Sequence, residues 1–77
     1  MHEAIINQIE ELSFTRVSED DLLWTDKILD SITIVELVVF IELEFGIKVP
    51  NADIVESNFN SVNAIVDYVH RSKATGS

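Results

Sequence analysis

The sequence has no cysteine, so neither a disulfide framework nor a thiolate metal site is open to it. Two glycines and one proline are too small a turn vocabulary for an all-β fold. The glycines stand at positions 46 and 76, which excludes a glycine-rich loop cradling a phosphate. Bases are scarce: five Lys and Arg face fourteen Asp and Glu, for a net charge of −9. That sign argues against nucleic acid and anionic membrane surfaces as partners. The only histidines, His2 and His70, lie near the ends, so no general base is placed by sequence for a nucleophile in the middle. The apolar stretch at 32–45 is too short, and too interrupted by Glu36, Glu42 and Glu44, to span a bilayer. Met1-His2-Glu3 lacks the basic start and long apolar stretch of a signal peptide, so a cytoplasmic protein is expected.

What is present points to a small helical domain. At 77 residues there is room for one core, and the 47 % apolar content is that of a folding chain. Thirteen acids and three bases fall in residues 1–56, against one acid and two bases in residues 57–77. An acidic front of this kind gives solubility and steers toward basic partners.

Ile5, Ile6, Ile9 and Leu12 repeat at helical spacing and predict a first helix over residues 3–12. Residues 13–30 make a long connection, which Val17, Leu22, Leu23, Trp24, Ile28 and Leu29 are expected to anchor across the bundle. Ser18-Glu19-Asp20-Asp21 reads as a cap or short turn; it lacks the alternating acids and central glycine of a calcium loop. A second helix is predicted through Phe45, with Gly46 as its positive-φ terminator. Residues 47–50 then cross in extended form up to Pro50. A short third helix is expected from Asn51 or Asp53 through Glu56, turning Ile54 and Val55 inward, with Phe59 plugging the core. Ser61 should cap a last helix whose stripe is Val62, Ile65, Val66 and Val69. Tyr68 should close one edge with its hydroxyl toward water. The expected architecture is all-α: a small four-helix bundle of three longer helices and one short one. Residues 1–72 form the domain, and residues 73–77 a disordered tail.

The second helix carries the functional signal. At 100° per residue, Ile34, Leu37, Val38, Ile41 and Phe45 share roughly a third of the circumference, with Val35 on the flank. Ile32, Val39 and Leu43 form a second apolar row on the far side, accompanied by Glu36 and Phe40. A domain this small cannot bury a helix all round, so the second row should be at least partly exposed, and exposed apolar patches mark interaction sites. The competing expectation is that the 13–30 connection folds over it. Directly before this helix stand Asp30 and Ser31. Their oxygens suit the orphan N–H groups of a helix start, and the same groups would stabilise a phosphate ester on Ser31. Ser31 is thus a cap, a phosphate carrier, or both. Glu42 and Glu44 diverge on a helix and cannot share a substrate atom. A triad drawn from Ser31, His70 and Asp30 has only residue types in its favour, and geometry defines a triad.

Together these residues resemble the acyl carrier protein family. The likeness runs through Asp30-Ser31-Ile32, Val35-Glu36-Leu37, Glu42-x-Glu44-Phe45-Gly46-Ile47-x-Val49-Pro50, Phe59-x-Ser61-Val62 and Ile65-Val66-Asp67-Tyr68-Val69, and spans roughly residues 3–70. The resemblance implies a four-helix bundle whose motif serine, here Ser31, is modified with 4′-phosphopantetheine from coenzyme A. It implies no catalysis by the chain itself. The implied role is to hold acyl or aminoacyl groups as thioesters and to present them to partner enzymes. Asp30 would be read by the modifying enzyme, while Ile32, Glu36, Val39, Phe40 and Leu43 would form the docking face. Implied partners are a phosphopantetheinyl transferase, a loading ligase or acyltransferase, and a downstream synthase, each meeting a monomeric carrier. Ile28, Thr33 and Leu43 stand where many fatty-acid-type members have glycine or an acid. The Leu29-Asp30-Ser31 context looks closer to stand-alone aminoacyl or peptidyl-type carriers, including D-alanyl carriers, and to a specialised biosynthetic pathway. The alternatives are a general fatty-acid-synthesis carrier and, in a different class, an unmodified acidic interaction module; a hydrolase is the weakest.

Overall fold

The structure, a computed structural model, describes residues 1–74. Helix α1 spans His2–Ser13, one residue beyond the expected helix at each end, and buries Ile5, Ile6 and Ile9. It stops at Phe14, a non-glycine residue in the left-handed region (φ 59°), whose N–H donates to the Glu10 carbonyl at 2.8 Å.

The 14–30 connection is held by both apolar and polar anchors. Val17, Leu23 and Leu29 are buried and Trp24 and Ile28 half-buried, whereas Leu22, expected among the anchors, is exposed. Ser18 and Asp21 do form a turn, with the Ser18 N–H donating to Asp21 Oδ2 at 2.8 Å. The acidic stretch also ties the loop down. Glu19 accepts from the Asn63 backbone N–H (3.2 Å) through its carbonyl, and Asp20 from Asn63 Nδ2 (2.7 Å) through its carboxylate.

Helix α2 spans Ser31–Phe45 and turns Ile34, Leu37, Val38 and Ile41 into the core. Phe45, expected in that stripe, is only half-buried and meets Phe40 edge to face at 6.5 Å. It is the last residue of the helix and packs against the margin of the core. Gly46 ends the helix at φ 67°, as expected, and Glu42 Oε2 accepts from the Val49 N–H at 2.8 Å, which turns the chain back. Ile47 and Val49 are buried in the crossing.

The short helix lies further along than the sequence reading places it. Asn51–Asp53 form a single 3-10 turn, and α3 follows at Glu56–Phe59. Between them Val55 is extended (φ −134°, ψ 160°) and exposed, while Ile54 is half-buried. Asp53 does not cap: its carboxylate accepts from the Tyr68 hydroxyl at 2.7 Å, and its carbonyl from Asn58 Nδ2 at 2.9 Å. Tyr68 is correspondingly buried and its hydroxyl is directed at Asp53 rather than at water. Burial first, and the Asp53 bond second, push the Tyr68 phenol above its ordinary pKa.

Helix α4 spans Val62–Ala74 and buries Val62, Ile65, Val66, Tyr68 and Val69. Ser61 caps it as predicted, Oγ accepting from the Ala64 N–H at 3.1 Å. Phe59 is buried against Tyr68, with ring centroids 5.4 Å apart. Lys73 and Ala74 are helical where a tail is expected; residues 75–77 lie outside the described residues. Helix α1 packs on both α2 and α4, and α3 on α4. The result is the expected all-α bundle of three longer helices and one short one, without a strand among the described residues.

Candidate functional site

The mouth of α2 is built by Asp30 and Thr33. Asp30, extended at ψ −179°, accepts the Thr33 N–H at 2.9 Å, while Thr33 Oγ1 accepts the Asp30 N–H at 2.8 Å. This reciprocal box satisfies two donors that a helix start otherwise leaves open. The Thr33 backbone N–H first, and its hydroxyl second, lower the Asp30 pKa. Thr33, a departure from the fatty-acid-type pattern, thus has a structural task. Asp30 and Thr33 between them perform the capping, and Ser31 takes no part in it. Ser31 is the first helical residue; it is exposed, and its Oγ has no hydrogen-bond partner among the described residues.

A cavity of about 380 Å³ opens beside Ser31, walled by Trp24, Leu29, Ile34, Val35 and Ile54. Its walls come from three places: the 14–30 connection, α2, and the segment after the 3-10 turn. Sequence reasoning did not assemble it, because Ile54 is far from Ser31 along the chain and Trp24 lies in an irregular connection without a periodic pattern. Trp24 is placed by Asn60, whose Oδ1 accepts the N–H groups of Trp24 (3.0 Å) and Thr25 (3.2 Å). Asn60 Nδ2 donates to Thr25 Oγ1 at 3.1 Å, and the Asn60 carbonyl accepts from the Leu23 N–H at 2.7 Å.

The far side of α2 is open. Ile32 is 70 % and Leu43 82 % exposed, Val35 and Val39 about half, and Glu36 stands exposed among them. The 14–30 connection therefore does not cover this row. Phe40 belongs elsewhere: it is half-buried at the margin of the core beside Phe45. The histidines are not brought to Ser31 by any hydrogen bond. His2 Nε2 meets Asn63 Oδ1 at 3.2 Å, and His70 is exposed on α4. No helix among the described residues is long and apolar enough to cross a membrane.

Residues 19–69 match the family described as the phosphopantetheine attachment site. The chain belongs to this carrier family. It is 41 % identical over 69 residues to a D-alanyl carrier protein of Streptococcus suis (strain 05ZYH33), covering 87 % of each chain. It is 38 % identical over 71 residues to that of Streptococcus uberis (strain ATCC BAA-854 / 0140J), covering 90 % of each. The D-alanyl carrier protein of Streptococcus sanguinis (strain SK36) is 39 % identical over 67 residues, 84 % of this chain and 85 % of its own. The resemblance to stand-alone aminoacyl-type carriers thus holds across the chain. The family's prosthetic group is covalent 4′-phosphopantetheine, and carriers of this kind hold cargo rather than transform it. The α2 mouth fits such a group. It offers an exposed, uncommitted hydroxyl at the positive end of a helix dipole, beside an apolar cavity.

Proposed function

We propose that this chain is a discrete aminoacyl carrier that bears 4′-phosphopantetheine on Ser31 Oγ and presents its cargo to partner enzymes. One observation carries the assignment. In the matched segment, Ser31 is an exposed helix-mouth hydroxyl relieved of capping by Asp30 and Thr33. Attachment forms the Ser31 Oγ–P bond as the pyrophosphate bond of coenzyme A breaks. The adenosine bisphosphate half leaves, and the hydroxyl proton passes to a base of the transferase. Ser31 needs no base of its own for this. When attached, the group supplies a flexible arm and a terminal thiol that holds the cargo as a thioester.

The chain's own residues then bind and orient. The amino end of α2 stabilises the phosphodiester charge. Asp30 keeps the helix mouth formed and is a feature for the transferase to read. The open row of Ile32, Val35, Val39 and Leu43 gives partners a small apolar contact, with Glu36 and the net charge of −9 steering basic surfaces toward it. A small apolar contact with charge steering suits complexes that form and separate quickly. The D-alanyl carrier relatives favour D-alanine as cargo, hence an ATP-dependent D-alanine ligase as loading partner and a D-alanyl-accepting enzyme downstream. The proposed setting is the cytoplasm, where coenzyme A and such ligases occur.

The test is intact mass after incubation with coenzyme A, magnesium and a broad-specificity phosphopantetheinyl transferase, with Ser31→Ala alongside. One phosphopantetheinyl addition to the parent and none to the variant supports the assignment. A folded parent that several active transferases leave unmodified refutes it, and leaves an unmodified interaction module acting through the α2 row. Loading of the modified chain with D-alanine in preference to L-alanine and glycine supports the cargo; equal loading refutes it.

A further inference from the structure

Helices α2 and α4 both open on a pair of cap-forming residues, and they resolve the pair in opposite ways. Asp30-Ser31 stands before α2 and Asn60-Ser61 before α4. Asp, Asn and Ser rank almost equally as helix caps, so neither pair settles its own starting point. At α4 the serine takes the cap. Ser61 Oγ accepts the Ala64 N–H at 3.1 Å, and the Ser61 carbonyl accepts the Ile65 N–H at 3.0 Å. At α2 the aspartate takes it, and the Asp30 carbonyl accepts the Ile34 N–H at 2.9 Å. The surroundings of each pair account for the difference. Asn60 is occupied by Trp24 and Thr25, and Asn63, where a box with it would close, is held by His2 (3.2 Å) and Asp20 (2.7 Å). Thr33, at the equivalent place in α2, turns back to Asp30. Its Oγ1 accepts the Asp30 N–H at 2.8 Å and donates to the Asp30 carbonyl (3.0 Å) or carboxylate (2.9 Å).

Ser61 shows what Ser31 becomes if α2 starts one residue later. Its Oγ then accepts the Ile34 N–H, and an oxygen committed to the backbone and turned into the helix mouth is a poor nucleophile. Resting on the carrier reading, we propose that Thr33 is a positioning residue for the modification: its hydroxyl fixes the start of α2 at Asp30 and so keeps Ser31 Oγ free for the transferase. Thr33 acts through Asp30, not through a contact with the reacting atoms. Its bonds exist only in the observed start, because with Ser31 as cap the third helical position passes to Ile34, which has no acceptor to reach back. Without the hydroxyl the two starts differ by one helical residue, and lengthening a helix by one residue is close to neutral. Only about half of the chains would then hold Ser31 free. The requirement ends once the group is attached. An esterified Oγ is a weak and crowded acceptor, so the later start is closed to the modified chain.

The test uses the full chain, labelled with ¹⁵N and ¹³C, with the transferase and coenzyme A of the mass assay. A parent that takes no group overturns the carrier reading and this inference with it. Given a parent that is modified, Thr33→Val keeps the side chain's shape and deletes the hydroxyl. With about half of Ser31 free, the KM for the carrier should rise about twofold at an unchanged kcat, because saturating transferase draws every chain into the competent start. The Ser31 ¹³Cα shift of the unmodified variant should move from its helical value toward the extended value of a cap residue. In the modified variant it should match that of the modified parent. Thr33→Ser returns the hydroxyl and should restore the parent's KM. A Thr33→Val chain that melts lower yet keeps the parent's KM overturns the inference and leaves the carrier reading standing, since a hydroxyl with only a structural task moves stability alone. A helical Ser31 shift in the unmodified variant, or a Thr33→Ser chain that stays at the raised KM, overturns it as well. If Thr33→Val fails to fold, the parent decides: its Asp30 amide should exchange with solvent more slowly than its Ser31 amide, and equal rates overturn the inference.

Discussion

Replacing Asn60 with alanine tests whether one polar side chain holds the 14–30 connection in place. The side chain makes three hydrogen bonds to that connection: from the Trp24 N–H in a partly buried setting, and with the Thr25 N–H and hydroxyl in exposed ones. A net intramolecular hydrogen bond contributes about 0.5–1.5 kcal/mol, with the exposed pair at the low end because water replaces them. One bond near 1 and two near 0.5 give a loss of about 2 kcal/mol. Against the ~3–5 kcal/mol expected of so small a core, the variant stays folded with a reduced margin. Its midpoint of thermal unfolding should fall by roughly 8–16 °C, at about 4–8 °C per kcal/mol for a domain of this size. Circular dichroism at 222 nm with parallel tryptophan fluorescence reads the transition. Asn60→Asp keeps the acceptor for both amides and should lose less than the alanine variant. A change in Asn60→Ala below about 0.5 kcal/mol, within the scatter of ordinary surface substitutions, would refute the clamp.

Phe59→Ala removes a fully buried ring and should cost about 3–5 kcal/mol, most or all of the domain's stability, so that no cooperative melt remains at 25 °C. Phe45→Ala, half-buried at the helix end, should cost clearly less, and equal losses in the two melts would contradict the observed packing. Leu43→Glu lies on the open row and should leave the melting curve within about 0.5 kcal/mol of the parent. Its kcat/KM with the transferase should fall about tenfold to a hundredfold if a partner buries the leucine, and an unchanged value would remove Leu43 from the docking face. Asp30 has a lowered pKa, so its contribution is full above the ordinary carboxylate value of roughly 3.9 and fades as pH falls through the lower folded value. An NMR titration of the Thr33 amide should therefore show its midpoint below that of an unstructured aspartate, and a midpoint at or above it would refute the cap.

The parts legible in the sequence are those encoded locally and periodically. The buried stripes of α1 and α4, the Gly46 terminator and the Ser61 cap all follow from spacing or from one residue's backbone preference. The mouth of α2 was legible as a pair, but the division of labour was not: Thr33 completes the box with Asp30 and leaves Ser31 uncommitted. Two kinds of information were missing. The cap expected for α3 is engaged elsewhere, since Tyr68 claims the Asp53 carboxylate and α3 begins only at Glu56. Contacts between distant residues, such as Asn60 with Trp24 and Asn63 with Asp20, carry no periodic signature at all. The cavity beside Ser31 depends on these contacts and was invisible for the same reason.

The same distant contacts explain why α2 can keep an apolar face in water. A connection rich in apolar residues, lying between α1 and α2, has an obvious competing place to go: over Ile32, Val39 and Leu43. Burial there would satisfy the hydrophobic effect, which has no direction of its own. Hydrogen bonds do have direction. Asn60 and Asn63 engage the backbone or side chains of residues 19, 20, 23, 24 and 25, all toward the α3–α4 junction. Leu23 and Val17 are then buried in the core, while Ile32, Val39 and Leu43 stay exposed. On this account the clamp residues, though remote from Ser31, determine both the wall of the cavity and the exposure of the docking face. Loosening the clamp should therefore alter partner recognition before it unfolds the chain.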